Sequence, residues 1–462
     1  MIADLKPYPE YKETGLAWLG QVPKHWDVRP AFGAFVPIHE RNHGMKEKIV
    51  LSLSFGRIVI KSADKLHGLV PESFDTYQIV NPGDIVLRTT DLQNDHASLR
   101  VGMVTDRGII TSAYLALRVN IGVSSHFGFQ FLNVWDTSKA IYAYGSGLRQ
   151  NLDFSHFKRM PVAVPPSVEQ TAIVRFLDLA NGRLERAIRA KRKVIALLNE
   201  QKQTIIQRVV TRGLDPSFPL KDSGIPWLGD IPHHWEVRRI KYLLREVDER
   251  STTGSEPLLS MRMHHGLVLF AEHFSRPPQA ATLVGFKIAR PGQFVVNRMQ
   301  AGNGVIFAST LTGLVSPDYA VFDPIGDANV EFLGELFRSR KVRAKFRAES
   351  KGLGTGTSGF LRLYNDRFGA IHVALPPRVE QRNILIGVAG ELSGVNTAIA
   401  RLEREIELLR EYRTRLVADV VTGKLDVREV AAQLPEEAAT DTADDDTDLS
   451  IDPEGANEEA VV

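Results

Sequence analysis

The chain of 462 residues contains no cysteine, which excludes disulfide bonds and thiolate metal sites. It has no run of 18 apolar residues that could form a membrane helix, and its first seven residues lack the apolar core of a signal peptide. Hydrophobic residues make up 43% of the chain and charged residues 24%, as in soluble globular proteins. Length and composition together predict a cytoplasmic protein with more than one packed core.

Catalytic motifs are also missing. The glycines at positions 352–359 lack the lysine of a phosphate-binding loop, and no His-Glu-x-x-His or other paired metal-ligand set occurs. The Asn-Pro-Gly-Asp turn at 81–84 lacks the second proline and the aromatic residue of an amino-methyltransferase motif, and no glycine-rich cofactor loop accompanies it. The sequence therefore predicts a chain that is not an enzyme and that holds no metal or cofactor of its own.

Acidic and basic residues are unevenly distributed. Residues 435–462 contain eleven Asp and Glu and no Lys or Arg, so the net charge of +2 for the whole chain leaves about +13 on the rest (+2 plus 11). A basic body of this kind suits a polyanionic partner, and a solvated basic surface is the alternative. Low aromatic content and high charge at the carboxyl end predict a disordered acidic tail.

The most informative feature of the sequence is a duplication. Residues 165–215 return as 376–426 at a constant offset of 211, and each copy begins with Pro-Pro-x-Val-Glu-Gln. Ser167 and Gln170 predict a capping box at the start of the first helix. Each copy places apolar residues at alternating spacings of four and three, the pattern of a coiled-coil seam. We expect the two helices to pair with each other, and to run antiparallel if the globular segments lie at opposite ends.

The predicted seam is apolar except at Lys191, Lys202 and Arg413, and Lys202 and Arg413 interrupt it at the same point of the repeat. At that point we expect a side chain that reaches solvent, with a buried acidic partner as the alternative. The seam comprises Leu184, Ile188, Ile195, Leu198, Ile205 and Val209 in the first helix, and Val395, Ile399, Leu402, Ile406, Leu409, Leu416 and Val420 in the second.

A second duplication opens each half of the chain. Residues 12–29 and 221–238 are identical at ten of eighteen positions, including both tryptophans, two glycines and a proline. The glycines and the proline predict a fixed turn, and Trp18 and Trp26 are expected to anchor it to a core, with stacking on a DNA base as the alternative. Between each opening and its helix, the frame repeats closely, whereas the polar segments attached to it differ.

The two duplicated motifs, Pro-Pro-x-Val-Glu-Gln and Trp-Leu-Gly-x-Ile/Val-Pro-x-His-Trp, resemble those of the specificity subunit of type I restriction–modification enzymes. The resemblance runs from about Lys12 to Asp426. It implies an α+β chain with two similar target recognition domains, separated by two long helices that pair as an antiparallel coiled coil with an internal pseudo-two-fold repeat. The predicted segments are target recognition domain 1 at 1–164, a central spacer helix at 165–215, target recognition domain 2 at 216–375, a distal spacer helix at 376–427 and an acidic disordered tail at 428–462.

The resemblance also implies a function. Each target recognition domain would read one half of an asymmetric bipartite site in double-stranded DNA. The chain would direct adenine methylation and cleavage by partner subunits: modification subunits, usually two, that use S-adenosylmethionine, and restriction subunits that use ATP and Mg. A partner that only methylates, with no nuclease, is an alternative.

The length of the helices predicts the spacing of the DNA site. Thirty residues from Arg183 to Arg212 span about 45 Å at 1.5 Å per residue, which is the length of about thirteen base pairs. Half-sites about one helical turn apart would be read from one side of the duplex. We therefore expect a gap of about 5–8 unread base pairs between the half-sites.

Candidate base-reading residues are polar side chains at positions where the two copies diverge, because bidentate pairing with guanine or adenine needs such groups. A solvated position or a phosphate contact is the alternative for each. In the first domain they are Arg88, Thr89, Thr90, Gln93, Asn94, Arg100, Arg149, Gln150 and Asn151. In the second they are Asn297, Arg298, Gln300, Asn303, Lys351, Thr355, Thr357, Ser358, Arg362 and Asn365.

Two other classes of protein compete with this interpretation. A coiled-coil scaffold that binds only proteins would need neither a basic body nor polar loops. A stand-alone DNA methyltransferase or nuclease would need catalytic motifs that the sequence does not contain.

Overall fold

The structure is a computed structural model that describes residues 5–61, 73–90, 92, 99–144, 151–263, 265–274, 278, 280–353 and 360–434. These residues form two compact units. The first unit takes in the chain up to Ala190 together with the described residues from Arg404 onward, and the second consists of Lys191–Glu403. Each unit therefore contains part of both long helices.

The first unit is built from antiparallel strands around a four-stranded sheet of order β4-β11-β8-β9. Two-stranded pairs β1-β2, β3-β12, β5-β6 and β7-β10 complete it. The strands are β1 Tyr11–Glu13, β2 Gln21–Pro23, β3 Asp27–Pro30, β4 Phe35–Pro37, β5 Leu51–Ser54, β6 Arg57–Ile60, β7 Gln78–Val80, β8 Ile85–Leu87, β9 Val101–Met103, β10 Gly108–Ile110, β11 Leu115–Val119 and β12 Pro161–Val164. The helices are α1 Ala31–Ala34, α2 Ser125–Thr137, α3 Phe154–Phe157 and the start of α4 Ser167–Arg212.

The second unit repeats this order. Its four-stranded sheet runs β16-β23-β20-β21, with pairs β13-β14, β15-β26, β17-β18, β19-β22 and the additional hairpin β24-β25. The strands are β13 Leu220–Asp222, β14 Asp230–Pro232, β15 Glu236–Arg239, β16 Leu244–Val247, β17 Leu259–Arg262, β18 Gly266–Leu269, β19 Lys287–Ala289, β20 Phe294–Val296, β21 Ile306–Ala308, β22 Gly313–Val315, β23 Ala320–Pro324, β24 Lys351–Leu353, β25 Phe360–Arg362 and β26 His372–Leu375. The helices are α5 Phe270–His273, α6 Val330–Arg338, α7 Arg340–Glu349, α8 Asn365–Ala370 and the start of α9 Arg378–Val421, and α10 Arg428–Ala432 belongs to the first unit.

Both sheets are formed for the same physical reason. The central strands β8 and β20 are apolar and buried at every position, and a helix whose apolar face includes Phe127 or Phe332 packs beside each. Burial of such side chains contributes about 1.5–3 kcal/mol each. The predicted fold class, an α+β chain with two similar domains and two long helices, is confirmed.

The long helices pair antiparallel in each unit. In the second unit Lys202 donates to the Asn396 side chain at 2.9 Å and Arg208 pairs with Glu391 at 2.7 Å. Higher residue numbers in α4 thus lie opposite lower residue numbers in α9, as in an antiparallel pair. No predicted seam position is exposed, whereas Leu197 beside the seam is 56% exposed. The seam is thus the face through which the helices meet.

The polar interruptions of the seam have partners on the opposite helix. Arg413 forms an ion pair with Glu185, and Lys202 reaches the amide of Asn396. Arg413 thus has an acidic partner, as the alternative predicted, but that partner is not buried: both side chains of the pair are about one-third exposed, so Arg413 also reaches solvent. A pair of this kind can fix register between two helices because only one alignment brings the charges together.

The predicted tail boundary needs a correction. Residues 428–434 are ordered: α10 follows α9, and Val427, Ala431 and Leu434 are buried in the first core. These apolar residues recur at helical spacing, which explains why the segment packs instead of remaining in solvent. The remaining tail residues, 435–462, lie outside the described residues.

Helix α9 is long and apolar enough, by length and composition alone, to cross a membrane. Its apolar positions include the seam that meets α4, so the coiled coil accounts for part of this hydrophobicity.

Candidate nucleic-acid interface

A buried carboxylate joins the start of α4 to the opening segment of the first unit. Glu169 accepts hydrogen bonds from the Trp26 indole at 2.8 Å, from His25 Nε2 at 2.8 Å and from the Tyr8 hydroxyl. Burial, followed by the bond to Glu169, raises the pKa of Tyr8 above its ordinary value, which keeps the phenol protonated as a donor. The Pro-Pro-x-Val-Glu-Gln motif is therefore the partner of the His-Trp pair that ends the opening motif.

The second unit repeats this junction. Glu380 accepts from the Trp235 indole at 3.0 Å and from His234 Nε2 at 2.7 Å. Trp26 and Trp235 are both fully buried, so the predicted role of core anchor is confirmed for Trp26 and base stacking is excluded. Trp18 also packs in the core, edge-on to Phe131 with 5.6 Å between ring centroids.

The glutamine of the same motif fixes a second element. Gln170 donates to the carbonyls of Pro165 and Gly122 at 2.8 Å each and accepts from the Ser124 N–H. In the second unit Gln381 donates to the Pro376 and Asp327 carbonyls and accepts from the Asn329 N–H. The predicted capping box is wrong for Gln170, because its side-chain oxygen binds the N-cap residue of α2 instead of its own helix.

In the first unit the fold brings two predicted polar segments together. The Leu152 N–H donates to the Thr89 carbonyl at 2.8 Å, which places Asn151 beside the segment that follows β8. Arg100 is fully buried, and its guanidinium donates to the carbonyls of Arg88 and Thr90 at 3.2 and 2.9 Å. Arg100 therefore holds the 88–90 segment from inside the unit. Because its side chain is buried, the prediction that it contacts a base is corrected.

The second unit repeats the backbone contact with different side chains. The Leu363 N–H donates to the Arg298 carbonyl at 2.9 Å, and Arg298 and Arg362 both bind Asp318, through its carbonyl at 2.6 Å and its carboxylate at 3.0 Å. Burial lowers the pKa of Arg298, and the nearby charge of Arg362 lowers it further. Arg298 and Arg362 therefore share one partner residue, Asp318, and guanidinium groups of this kind are suited to bind phosphate.

The predictions that Asn297 and Thr89 read bases need the same correction as that for Arg100, because both side chains are buried. Asn297 is 3% exposed, and its side-chain Oδ1 accepts from the N–H groups of Met299 and Gln300, so the side chain fixes the turn after β20. Thr89 is 5% exposed. Short polar side chains that satisfy backbone donors are typical of turns, and this use competes with exposure to a ligand.

A basic helix in the second unit was not among the predicted site residues. Arg347, on α7, donates to the Asn303 side chain at 3.0 Å, and Asn303 in turn donates to Gln300 at 2.6 Å. Burial, then the charge of Arg347, lowers the pKa of Arg343 on the same helix. The run Arg-Ser-Arg-Lys-Val-Arg-Ala-Lys-Phe-Arg at 338–347 was the available signal, because basic runs on one helix mark nucleic-acid surfaces.

An open cleft of about 750 Å³ lies between α7 and the second half of α4. Five of its eleven lining residues are cationic, Arg208, Arg212, Arg340, Lys341 and Arg343, and only Glu200 is acidic. A concave surface lined by one sign of charge concentrates oppositely charged ligands. We name this surface the basic cleft.

The remaining predicted residues divide by position. Arg88, Thr90, Arg298, Gln300, Arg362 and Asn365 are half-buried, and Asn151, Asn303 and Lys351 are exposed. Lys351 lies opposite Arg362 in the register of the antiparallel strands β24 and β25. Outside the described residues lie Gln93, Asn94, Arg149, Gln150, Thr355, Thr357 and Ser358.

The solved structures that are similar to this chain include three described here. The first, from a study of complex assembly and conformational transition of the type I R-M system, covers 87% of this chain and 99% of its own at 14% identity, with a TM-score of 0.58. The chain has the fold of a type I specificity subunit. The predicted resemblance is thereby confirmed for the fold.

Two crystal structures are less similar in geometry. The HsdS subunit from Thermoanaerobacter tengcongensis covers 89% of this chain and 100% of its own at 16% identity, with a TM-score of 0.42. The type I restriction–modification S subunit from M. genitalium covers 86% of this chain and 96% of its own at 14% identity, with a TM-score of 0.31. The conclusion on fold rests on the first comparison. Neither a protein-family model nor a curated protein matches the sequence.

Proposed function

We propose that this chain is the DNA-recognition subunit of a type I restriction–modification complex. The observation that carries the proposal is a contrast between the two units: identical backbone contacts join Thr89 to Leu152 and Arg298 to Leu363, yet the polar side chains around them differ. A protein that holds two unlike polar surfaces on one repeated frame is suited to read a bipartite target with unlike halves.

The cationic residues support double-stranded DNA as the ligand. Arg298, Arg362, Arg343 and Arg347 lie on neighbouring elements of the second unit, and arginine is the side chain that most often reads guanine or binds phosphate. The basic cleft adds lysine and arginine groups that suit a phosphate backbone.

We further propose that the chain works in the cytoplasm with modification subunits that methylate adenine and with restriction subunits that translocate and cleave. S-adenosylmethionine, ATP and Mg would be bound by those partners. The chain itself would be non-catalytic, and the paired helices would set the distance between the half-sites.

A scaffold that binds only proteins remains the second candidate, and the seam residues alone would fit it. Salt-dependent affinity for duplex DNA separates the two. A DNA-binding subunit loses affinity steeply as salt rises, since each neutralised phosphate releases counterions, whereas a pure scaffold shows no duplex binding at any salt.

The decisive experiment maps adenine methylation genome-wide in cells with and without this chain. We expect an asymmetric motif of two unlike half-sites with a gap of about 5–8 base pairs, present only when the chain is expressed. A methylation pattern that does not change when the chain is removed would refute the proposal.

A further inference from the structure

An aromatic side chain stands at the tip of a tight hairpin in the first unit. Strands β5 and β6 are closed by the two-residue turn Phe55-Gly56, with Ser54 opposite Arg57. Phe55 has a φ of 47° and Gly56 a φ of 77°. Turns of this type favour Asn-Gly, and a bulky residue at the first position is disfavoured by steric contact with its own backbone. Phe55 is nevertheless 86% exposed, so packing does not explain it.

The hairpin lies beside the segment predicted to read DNA. It packs over β9, where a Cβ added at Gly102 would meet the side chains of Leu53 and Ile58. At the tip, a Cβ added at Gly56 would lie 3.2 Å from Leu99, the residue that precedes Arg100. Arg100, the next residue, holds the 88–90 segment by two hydrogen bonds, so the tip is linked to that segment through Leu99 and Arg100.

The composition of the hairpin suits approach to a polyanion. Residues 51–60 contain one arginine and no acidic residue, and Val59 and Ile60 on the outer strand are also exposed. The second unit places a hairpin in the same position of its fold, β17–β18, with the exposed Met263 in its turn. Both hairpins thus present a large apolar side chain, of the types that DNA-bending proteins insert between base steps.

We propose that Phe55 is a wedge that stacks between adjacent base pairs of duplex DNA when the first unit binds its half-site. This inference rests on the proposed function. A rigid aromatic group on a fixed turn enters a base step at low entropic cost, because only two side-chain torsions are immobilised. The step it enters would unstack and bend, and the energy of deforming that step would add specificity at a position without hydrogen-bonded readout.

The test compares three variants of the full chain assembled with its modification subunits. Phe55→Asn removes the ring and suits the left-handed turn, Phe55→Trp keeps an aromatic face, and Ile121→Asn controls for loss of an exposed apolar residue elsewhere, since Ile121 is 93% exposed. The probe is a duplex that carries the motif methylated in cells, with 2-aminopurine placed at successive positions of the first half-site.

We expect Phe55→Asn to lower the affinity about 5- to 100-fold, the range for loss of one aromatic–base stack, and to abolish the rise of 2-aminopurine fluorescence at one step. Phe55→Trp should restore both, and Ile121→Asn should change neither. The unfolding temperature of Phe55→Asn should be no lower than that of the parent, because asparagine adopts the left-handed turn with less strain than phenylalanine.

Two results would overturn the inference. If Phe55→Asn binds and unstacks the duplex like the parent, the ring makes no base contact. If the Phe55→Asn variant assembles less well with the modification subunits, but the complex that does form still unstacks the probe, the tip contacts a protein partner instead. Absence of duplex binding by the parent complex would overturn the proposed function and the wedge together, and is distinguishable because it does not depend on Phe55.

Discussion

Replacement of Glu169 by alanine should loosen the first unit more than the matched replacement of Glu380 loosens the second. Glu169 accepts from three donors, of which Tyr8 and Trp26 are buried. Glu380 accepts from two, of which only the ring of Trp235 is buried. The duplication therefore supplies two versions of one junction that differ by one buried donor.

The magnitude follows from the number of donors left without an acceptor. A buried donor without a partner costs about 1–3 kcal/mol, so Glu169→Ala should cost about 2–6 kcal/mol and Glu380→Ala about 1–3 kcal/mol. The rings of His25 and His234 are partly exposed and can bind water instead. A difference of about 2 kcal/mol between the two variants corresponds to about a thirtyfold difference in local opening.

Amide hydrogen exchange on the full chain measures this opening for each unit separately. The reporters are the strand pairs next to each junction, β3–β12 in the first unit and β15–β26 in the second. Glu169→Gln retains one acceptor oxygen and should recover part of the protection. Equal loosening by the two alanine variants, or unchanged protection of β3–β12 in Glu169→Ala, would refute the reasoning from buried donors.

Three further predictions concern DNA. Arg298→Ala should relax one base position of the half-site read by the second unit and cost about 1–3 kcal/mol of binding free energy. Lys341→Ala in the basic cleft should weaken binding to all sequences alike and reduce the slope of log affinity against log salt concentration by about 1. Motif sequencing and salt titrations check both, and a sequence-independent loss for Arg298→Ala with a base-specific loss for Lys341→Ala would contradict the proposed interface. Insertion of seven residues after Ile195 and seven after Leu402, at facing points of the pair, preserves the seam and lengthens the helices by about 10 Å. The gap in the methylated motif should then grow by about three base pairs, and an unchanged gap would exclude the helices as the spacer.

The sequence predicted the features that depend on local periodicity. Spacings of four and three identified the seam, and no predicted seam position is exposed. The repeated turn residues predict Trp26 as a core anchor, and Trp26 is fully buried. Such features are readable because a helix or a tight turn is specified within one or two turns of chain.

Contacts between distant residues could not be predicted in the same way. The bond from Trp26 to Glu169 spans 143 positions, and nothing local indicates that the two motifs meet. Arg100 is predicted to read bases because it is a polar residue at a position where the two copies diverge, yet its guanidinium donates to the carbonyls of Arg88 and Thr90 inside the unit. The start of the tail was misassigned because Ala431 and Leu434 gain their burial from helices elsewhere in the chain.

The two units differ even in the turn that opens the central strand of each four-stranded sheet. In the first unit Asp84 caps the Asn81 N–H and pairs with Arg118 at 2.8 Å. In the second, Gln293 caps the Arg290 N–H and donates to Asp323, so the ion pair is replaced by an amide–carboxylate bond while the turn is preserved.

The junctions allow no such exchange: His, Trp, Glu and Gln are the same in both copies, and their bonds agree within about 0.3 Å where both occur. A strand-opening turn needs only its backbone geometry, which several side-chain pairs can supply. The junction must also fix the direction in which a long helix leaves the domain, and a small change of angle there is multiplied along more than forty residues. Among the described residues, the side chains that recur with the same bonds in both units therefore lie where each unit meets its long helix, not on the surfaces proposed to meet DNA.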